Sequence, residues 1–195
     1  MKRILAVLFT LILSVSSLSM AVAEEENIQQ AIDPTSHILV VYFSATGTTR
    51  GVAEKLAEGL SADLYEIVPK EPYTDADLNY NDSGSRTSIE MEDSTCRPAI
   101  AGELPDLAPW DTLIIGYPIW WGDVPRIVST FVENEDLTGK TMAVFFTSGG
   151  SGLGNSMKHL EEQSGAGTWL EGKRFTSRTT VEELVSWAKG LGIEP

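Results

Sequence analysis

The chain has 195 residues, 42% of them hydrophobic, with 28 acidic against 14 basic side chains and a formal net charge of −14. So acidic a balance argues against nucleic-acid binding, which relies on Lys and Arg to neutralise phosphates. The one cysteine, Cys96, excludes an internal disulfide, a cysteine-held zinc site and an iron–sulfur cluster, and with only His37 and His159 besides, it argues against transition-metal chemistry.

In chain order, residues 1–23 come first and read as a secretory signal peptide. Lys2 and Arg3 precede an apolar run, and small residues Ala21 and Ala23 occupy the −3 and −1 positions of a cleavage site. The competing reading is an uncleaved anchor, because residues 4–22 carry no charge and nearly suffice to span a bilayer. Serine and threonine dilute that run, so cleavage after Ala23 is the expectation, with a secreted or extracytoplasmic product and no stable membrane insertion afterwards. Cleavage leaves 172 residues, the size of one domain, and takes the formal charge from −14 to −16. Residues 24–36 form a polar leader, and 37–195 the folded domain.

The run 37–43 is rich in β-branched and aromatic residues without a break, as in a strand buried on both faces. Residues 44–48 turn the chain, and from Thr49 the apolar positions Val52, Ala53, Leu56, Ala57 and Leu60 recur at helical spacing. A second strand over 63–68 completes a β–loop–α–β unit of the kind that builds parallel sheets. Residues 71–109 are polar and proline-interrupted, which predicts an irregular surface excursion with one helix around Ser88. Strands follow at 112–117 and 141–147, helices at 124–132 and 156–163, and an edge strand near 168–175. A last helix over 181–189 starts behind Thr180, a suitable cap.

Three central strands end in loops rich in small polar, glycine or aromatic residues, and ligands of open parallel sheets bind beyond such strand ends. The first loop offers the hydroxyls of Ser44, Thr46, Thr48 and Thr49 around Gly47 at a helix start, where unpaired N–H groups and the helix dipole favour an anion. It lacks the Gly-Lys-Ser/Thr ending of a triphosphate loop and the G-x-G-x-x-G of a dinucleotide fold. An ordinary capped helix start would use the same residue types. The second loop, Pro118, Ile119, Trp120, Trp121 and Gly122, sets two indoles side by side, of which one can stack on a flat ring while the other packs against the following helix. The third, with Ser148, Gly149, Gly150 and Gly152, brings backbone close to the polar edge of a ring, or is a flexible connection.

Taken together, the segments Tyr-Phe-Ser-Ala-Thr-Gly-Thr-Thr, Gly-Tyr-Pro-Ile-Trp-Trp-Gly-Asp-Val-Pro and Phe-Phe-Thr-Ser-Gly-Gly-Ser-Gly resemble the flavodoxin family, in its branch with a Pro-Ile-Trp-Trp loop. The resemblance spans roughly residues 37 to 190. It implies an α/β three-layer sandwich with a five-stranded parallel sheet in order 2-1-3-4-5 and flavin mononucleotide (FMN) at the switch point. By the family's pattern, Ser44, Thr46, Gly47, Thr48 and Thr49 hold the FMN phosphate. Pro118, Ile119, Trp120, Trp121 and Gly122 flank the isoalloxazine, and Ser148, Gly149, Gly150 and Gly152 line its other edge. The third loop lacks the aromatic that many flavodoxins place over the outer flavin face, which leaves Tyr73 or Tyr80 of the irregular segment as candidates for that cover.

The expected function is an FMN electron carrier with a redox partner whose docking face is basic. An FMN-dependent quinone or flavin reductase is the alternative within the fold, and a binding module that has lost the flavin the alternative outside it. The hydroxyls of the first loop argue against the last. Export is unusual for a family best known as cytoplasmic carriers, and outside the cytoplasm the electron donor would have to be another redox protein or a membrane quinol.

Overall fold

The computed structural model describes residues 36–195; the expected signal peptide, its expected cleavage after Ala23 and the expected polar leader up to residue 35 lie outside the described residues. The first strand, β1 (Ile38–Tyr42), is five apolar or aromatic residues, all buried. Such a sequence has no polar face to give to water, so it sits in the interior of a sheet. β2 (Asp63–Glu66) and β3 (Thr112–Pro118) pair with it in parallel on either side, and β4 (Thr141–Thr147) pairs with β3. The strand order is β2-β1-β3-β4-β5, the expected 2-1-3-4-5.

The fifth position departs from one continuous strand. It is shared by β5 (Thr168–Trp169) and β6 (Lys173–Phe175), both parallel to β4. Between them Gly172 runs so close to its neighbours that a Cβ there would lie 3.2 Å from Leu153 and 3.4 Å from the Val144 carbonyl oxygen. A glycine inside a strand weakens the ladder and marks close approach of another element, and here it separates two short segments.

Alternation along the strands sends side chains to two cores. Ile38, Val40 and Tyr42 meet Ile114, Ala143 and Phe145 on one face, under α1 (Thr48–Leu60) and α5 (Val181–Gly190). Leu39, Val41 and Phe43 meet Leu113, Ile115, Val144 and Phe146 on the other, under α3 (Arg126–Asn134) and α4 (Ser156–Ser164). Each fully buried aliphatic side chain contributes roughly 1.5–3 kcal/mol, so the sheet interior holds the helices more firmly than their own propensities do. The excursion after β2 lies on this second face, with Leu107 and Trp110 buried in its core, and it carries α2 (Arg86–Glu92) around Ser88 as expected. Among the described residues no helix is long and apolar enough to cross a membrane.

Candidate functional site

The loops that follow β1, β3 and β4 meet at the carboxyl end of the sheet. The Thr49 hydroxyl, buried at the start of α1, lies 2.9 Å from the Thr147 hydroxyl at the end of β4. The Ile119 N–H donates to the Thr147 carbonyl at 2.9 Å. In the second and third loops the backbones nearly touch, since a Cβ on Gly154 would lie 2.5 Å from the Gly122 carbonyl oxygen. Only glycine permits that approach, and at Gly154 the φ of 57° asks for glycine as well.

In the first loop Gly47 adopts φ 84° and no side chain caps α1; Ser44 Oγ instead accepts from the Gly47 N–H at 3.1 Å. By contrast, α5 closes its own first turn with a capping box between Thr180 and Glu183. The α1 start therefore presents helix N–H groups, with the exposed hydroxyls of Thr46 and Thr48 beside them. That is a donor set for an anion held without a cation. Arg50, the flanking cation, is engaged elsewhere: its guanidinium bonds Glu66 and Tyr42. Burial, with the Glu66 charge behind it, pushes the Tyr42 phenol up to about 12 despite the Arg50 hydrogen bond. Of the five residues expected to hold a phosphate, four face outward or partly so. Thr49 is turned inward, and its hydroxyl is committed to Thr147.

The two tryptophans divide the roles that the sequence left open. Trp120 is half-buried, packed edge-on against Phe43 at 5.4 Å and Tyr73 at 5.3 Å at the margin of the second core. Trp121 stands at the tip of a tight turn closed by reciprocal backbone bonds of Trp120 and Asp123, N–H to carbonyl at 3.0 and 2.9 Å, and is 49% exposed. Its φ of 49° and that of Gly122 at 79° are both left-handed. For a bulky residue that conformation costs on the order of 1–3 kcal/mol, and such strain gathers at functional sites.

A cavity of about 380 Å³ opens between these loops and the excursion, lined by Thr46, Ile119, Trp120 and Trp121 from the one side and by Leu78, Tyr80 and Thr87 from the other. Ligand pockets run from about 300 to 1,000 Å³, and this one joins a flat aromatic wall to the hydroxyl-rich loop. Leu78 and Thr87 escaped the sequence reading, whose only signal there was the length of an irregular segment beside a binding rim. Of the two tyrosines named as candidate cover, Tyr80 lines the cavity and is 75% exposed. Tyr73 stands behind Trp120 instead: its hydroxyl donates to Glu90 at 2.7 Å, Arg86 lies 4.1 Å over its ring, and burial and then the Glu90 contact raise its pKa. The third loop stays outside this lining, with Gly149, Gly150 and Gly152 facing open space and Ser148 Oγ donating to the Ser151 carbonyl. A larger cavity of about 520 Å³ lies at the β6–α5 edge among Lys173, Arg174, Glu182 and Glu183. None of the three loops reaches it, so the rim of converging loops is the better candidate.

A family model described as flavodoxin matches residues 37–191. A candidate flavoprotein from Bacteroides eggerthii DSM 20697, solved by crystallography, is similar at 45% identity over 80% of this chain and 98% of its own, with a TM-score of 0.76. A second candidate flavoprotein, from Bacteroides uniformis ATCC 8492, is similar at 44% identity over 78% of this chain and 97% of its own, with a TM-score of 0.75. The fold also matches a flavoprotein from Lactobacillus acidophilus NCFM, crystallised in complex with FMN, at 24% identity over 70% and 91% of the two chains and a TM-score of 0.58.

Proposed function

This chain belongs to the flavodoxin family, and from that premise we propose that it holds FMN non-covalently in the cleft between its strand-end loops and serves as an exported electron carrier. The observation that carries the reading is one cleft joining an uncapped α1 start, the Thr46 hydroxyl and the half-exposed Trp121 indole. A flavin phosphate needs donors, and a flavin ring needs a flat apolar wall; both are present. Ser44, Thr46, Thr48 and the first N–H groups of α1 would hold the phosphate, and Thr49 would contribute its backbone N–H. Ile119 and Trp121 would flank the ring, with Tyr80 as cover, and the backbone of Gly149, Gly150 and Gly152 would serve its polar edge. When bound, FMN supplies one- and two-electron transfer, and the protein's part is orientation, exclusion of water and electrostatics. The relative from Lactobacillus acidophilus, solved with FMN, supports the choice of cofactor.

Export rests on the sequence of residues 1–23, and electron transfer to a basic partner on the acidic balance of the whole chain. Protein recovered from an exporting host should begin at Glu24, which intact-mass analysis reads directly; retention of Met1 to Ala23 in membranes would speak for an anchor. The cofactor is tested by the visible spectrum of the purified protein and by titration of flavin-free protein with FMN. One FMN per chain is expected, and a colourless protein that takes up none would end the proposal.

A further inference from the structure

We propose that His159 on α4 is a positioning residue for the flavin-flanking turn: with Arg126 it clamps the Asp123 carboxylate and so keeps Trp121 in its left-handed pose at the mouth of the cleft. The inference rests on the FMN reading above.

Asp123 closes the turn that carries Trp121, and its polar groups are all in use. Its backbone N–H and carbonyl both pair with Trp120. One carboxylate oxygen accepts from the Val124 N–H at 2.8 Å and from His159 Nδ1 at 2.9 Å. The other accepts from Arg126 Nη1 at 3.2 Å and lies 3.0 Å from His159 Nδ1. A carboxylate can only accept, so Nδ1 carries the proton.

Both clamping residues are themselves fixed. Arg126 is buried on α3 and donates through Nη2 to the Met91 carbonyl at 3.0 Å, which ties in the excursion, while its Nε has no partner. A buried guanidinium left one bond short would be a poor choice for packing alone; its Asp123 and Met91 contacts give it a purpose. Helix α4 is held to β3 by the Tyr117 and Ser156 hydroxyls, 3.0 Å apart. The side chains of Asp123, Arg126 and His159 line a cavity of about 310 Å³ between α3 and α4. The clamp thus reaches the turn from behind, away from the flavin cleft.

Left-handed tryptophan followed by left-handed glycine persists only where its surroundings over-determine it. Removing the imidazole leaves Asp123 with Arg126 and one backbone N–H, so the turn relaxes. Trp121 flanks the ring and not the phosphate; loss of the clamp should therefore weaken FMN and riboflavin alike. Two variants and two readouts separate the outcomes. His159→Ala should weaken both flavins by about tenfold, the lower end of what one charge-assisted bond contributes, with their affinity ratio unchanged. In the flavin-free protein the Trp120 and Asp123 amides should exchange with deuterium several-fold faster. His159→Asn keeps a donor near the Nδ1 position and should restore both. Wild-type affinities and exchange in the Ala variant, a loss confined to FMN, or failure of Asn to rescue would overturn the clamp. A wild-type protein that binds no flavin would instead remove the FMN reading, and amide exchange would still test the clamp.

Discussion

Trp120 and Trp121 are adjacent in sequence and opposite in environment, because the turn that joins them reverses direction through two left-handed residues. Trp120→Ala removes a half-buried ring packed on Phe43 and Tyr73 and should cost about 1–2 kcal/mol of stability in denaturant unfolding, below the range for a fully buried tryptophan. Trp121→Ala removes a half-exposed ring, so the unfolding midpoint should barely move while flavin binding weakens. At the first loop, a hydrogen bond to a charged group contributes roughly 1.5–3 kcal/mol. Thr46→Ala should therefore weaken FMN by about tenfold or more and leave riboflavin, which lacks the phosphate, nearly unaffected. Equal losses for the two ligands in a fluorescence titration would take this loop out of the phosphate site. The residue types at the rim were legible in the sequence. Which indole faces out was not, since that depends on two φ angles in a loop with no period.

Among the elements, strands with unbroken apolar runs were read almost to the residue: β4 covers the expected 141–147, and β1 falls short of the expected run by one residue at each end. Boundaries moved where a local feature intervened. α3 begins at Arg126 and not at 124 because Pro125 takes the cap position, and the edge strand divides around Gly172. The Asp123–His159 contact joins residues 36 apart on different elements, so nothing local announced it. The end of α3 carries a testable charge. Burial pushes the Glu135 carboxyl up to about 7, with Asp106 adding to the rise and Lys140 opposing it, and one of its oxygens is buried without a partner. Below its unfolded pKa of about 4.5 both folded and unfolded chains hold the proton, and Glu135 carries no penalty. Between about 4.5 and 7 the unfolded chain releases the proton first, so stability falls as pH rises and the penalty is complete above 7. Glu135→Gln should raise stability at pH 8 by about 1–2 kcal/mol, allowing for solvent screening at a half-buried site, and change little at pH 4. Thermal melts of both proteins at the two pH values measure the difference.

For the whole molecule the governing quantity is charge. The formal −14 of the full chain becomes −16 if residues 1–23 are removed. Arg50, the cation that flanks the first loop in sequence, is already paired with Glu66. Reducing a bound flavin adds negative charge to the ring, and so acidic a molecule offers it little compensation. The bound cofactor should accordingly be harder to reduce than free FMN. The same field should speed encounter with a positively charged partner, and salt should slow it. An FMN-dependent reductase would behave otherwise, turning over small quinones at rates nearly indifferent to salt. The most direct test of the carrier account is a redox titration of the FMN-loaded protein followed by electron transfer to a basic acceptor, such as a cytochrome c, across an ionic-strength series. The account predicts a midpoint potential below that of free FMN and a transfer rate that falls as salt rises; a potential at or above that of free FMN, or transfer independent of salt, would contradict it.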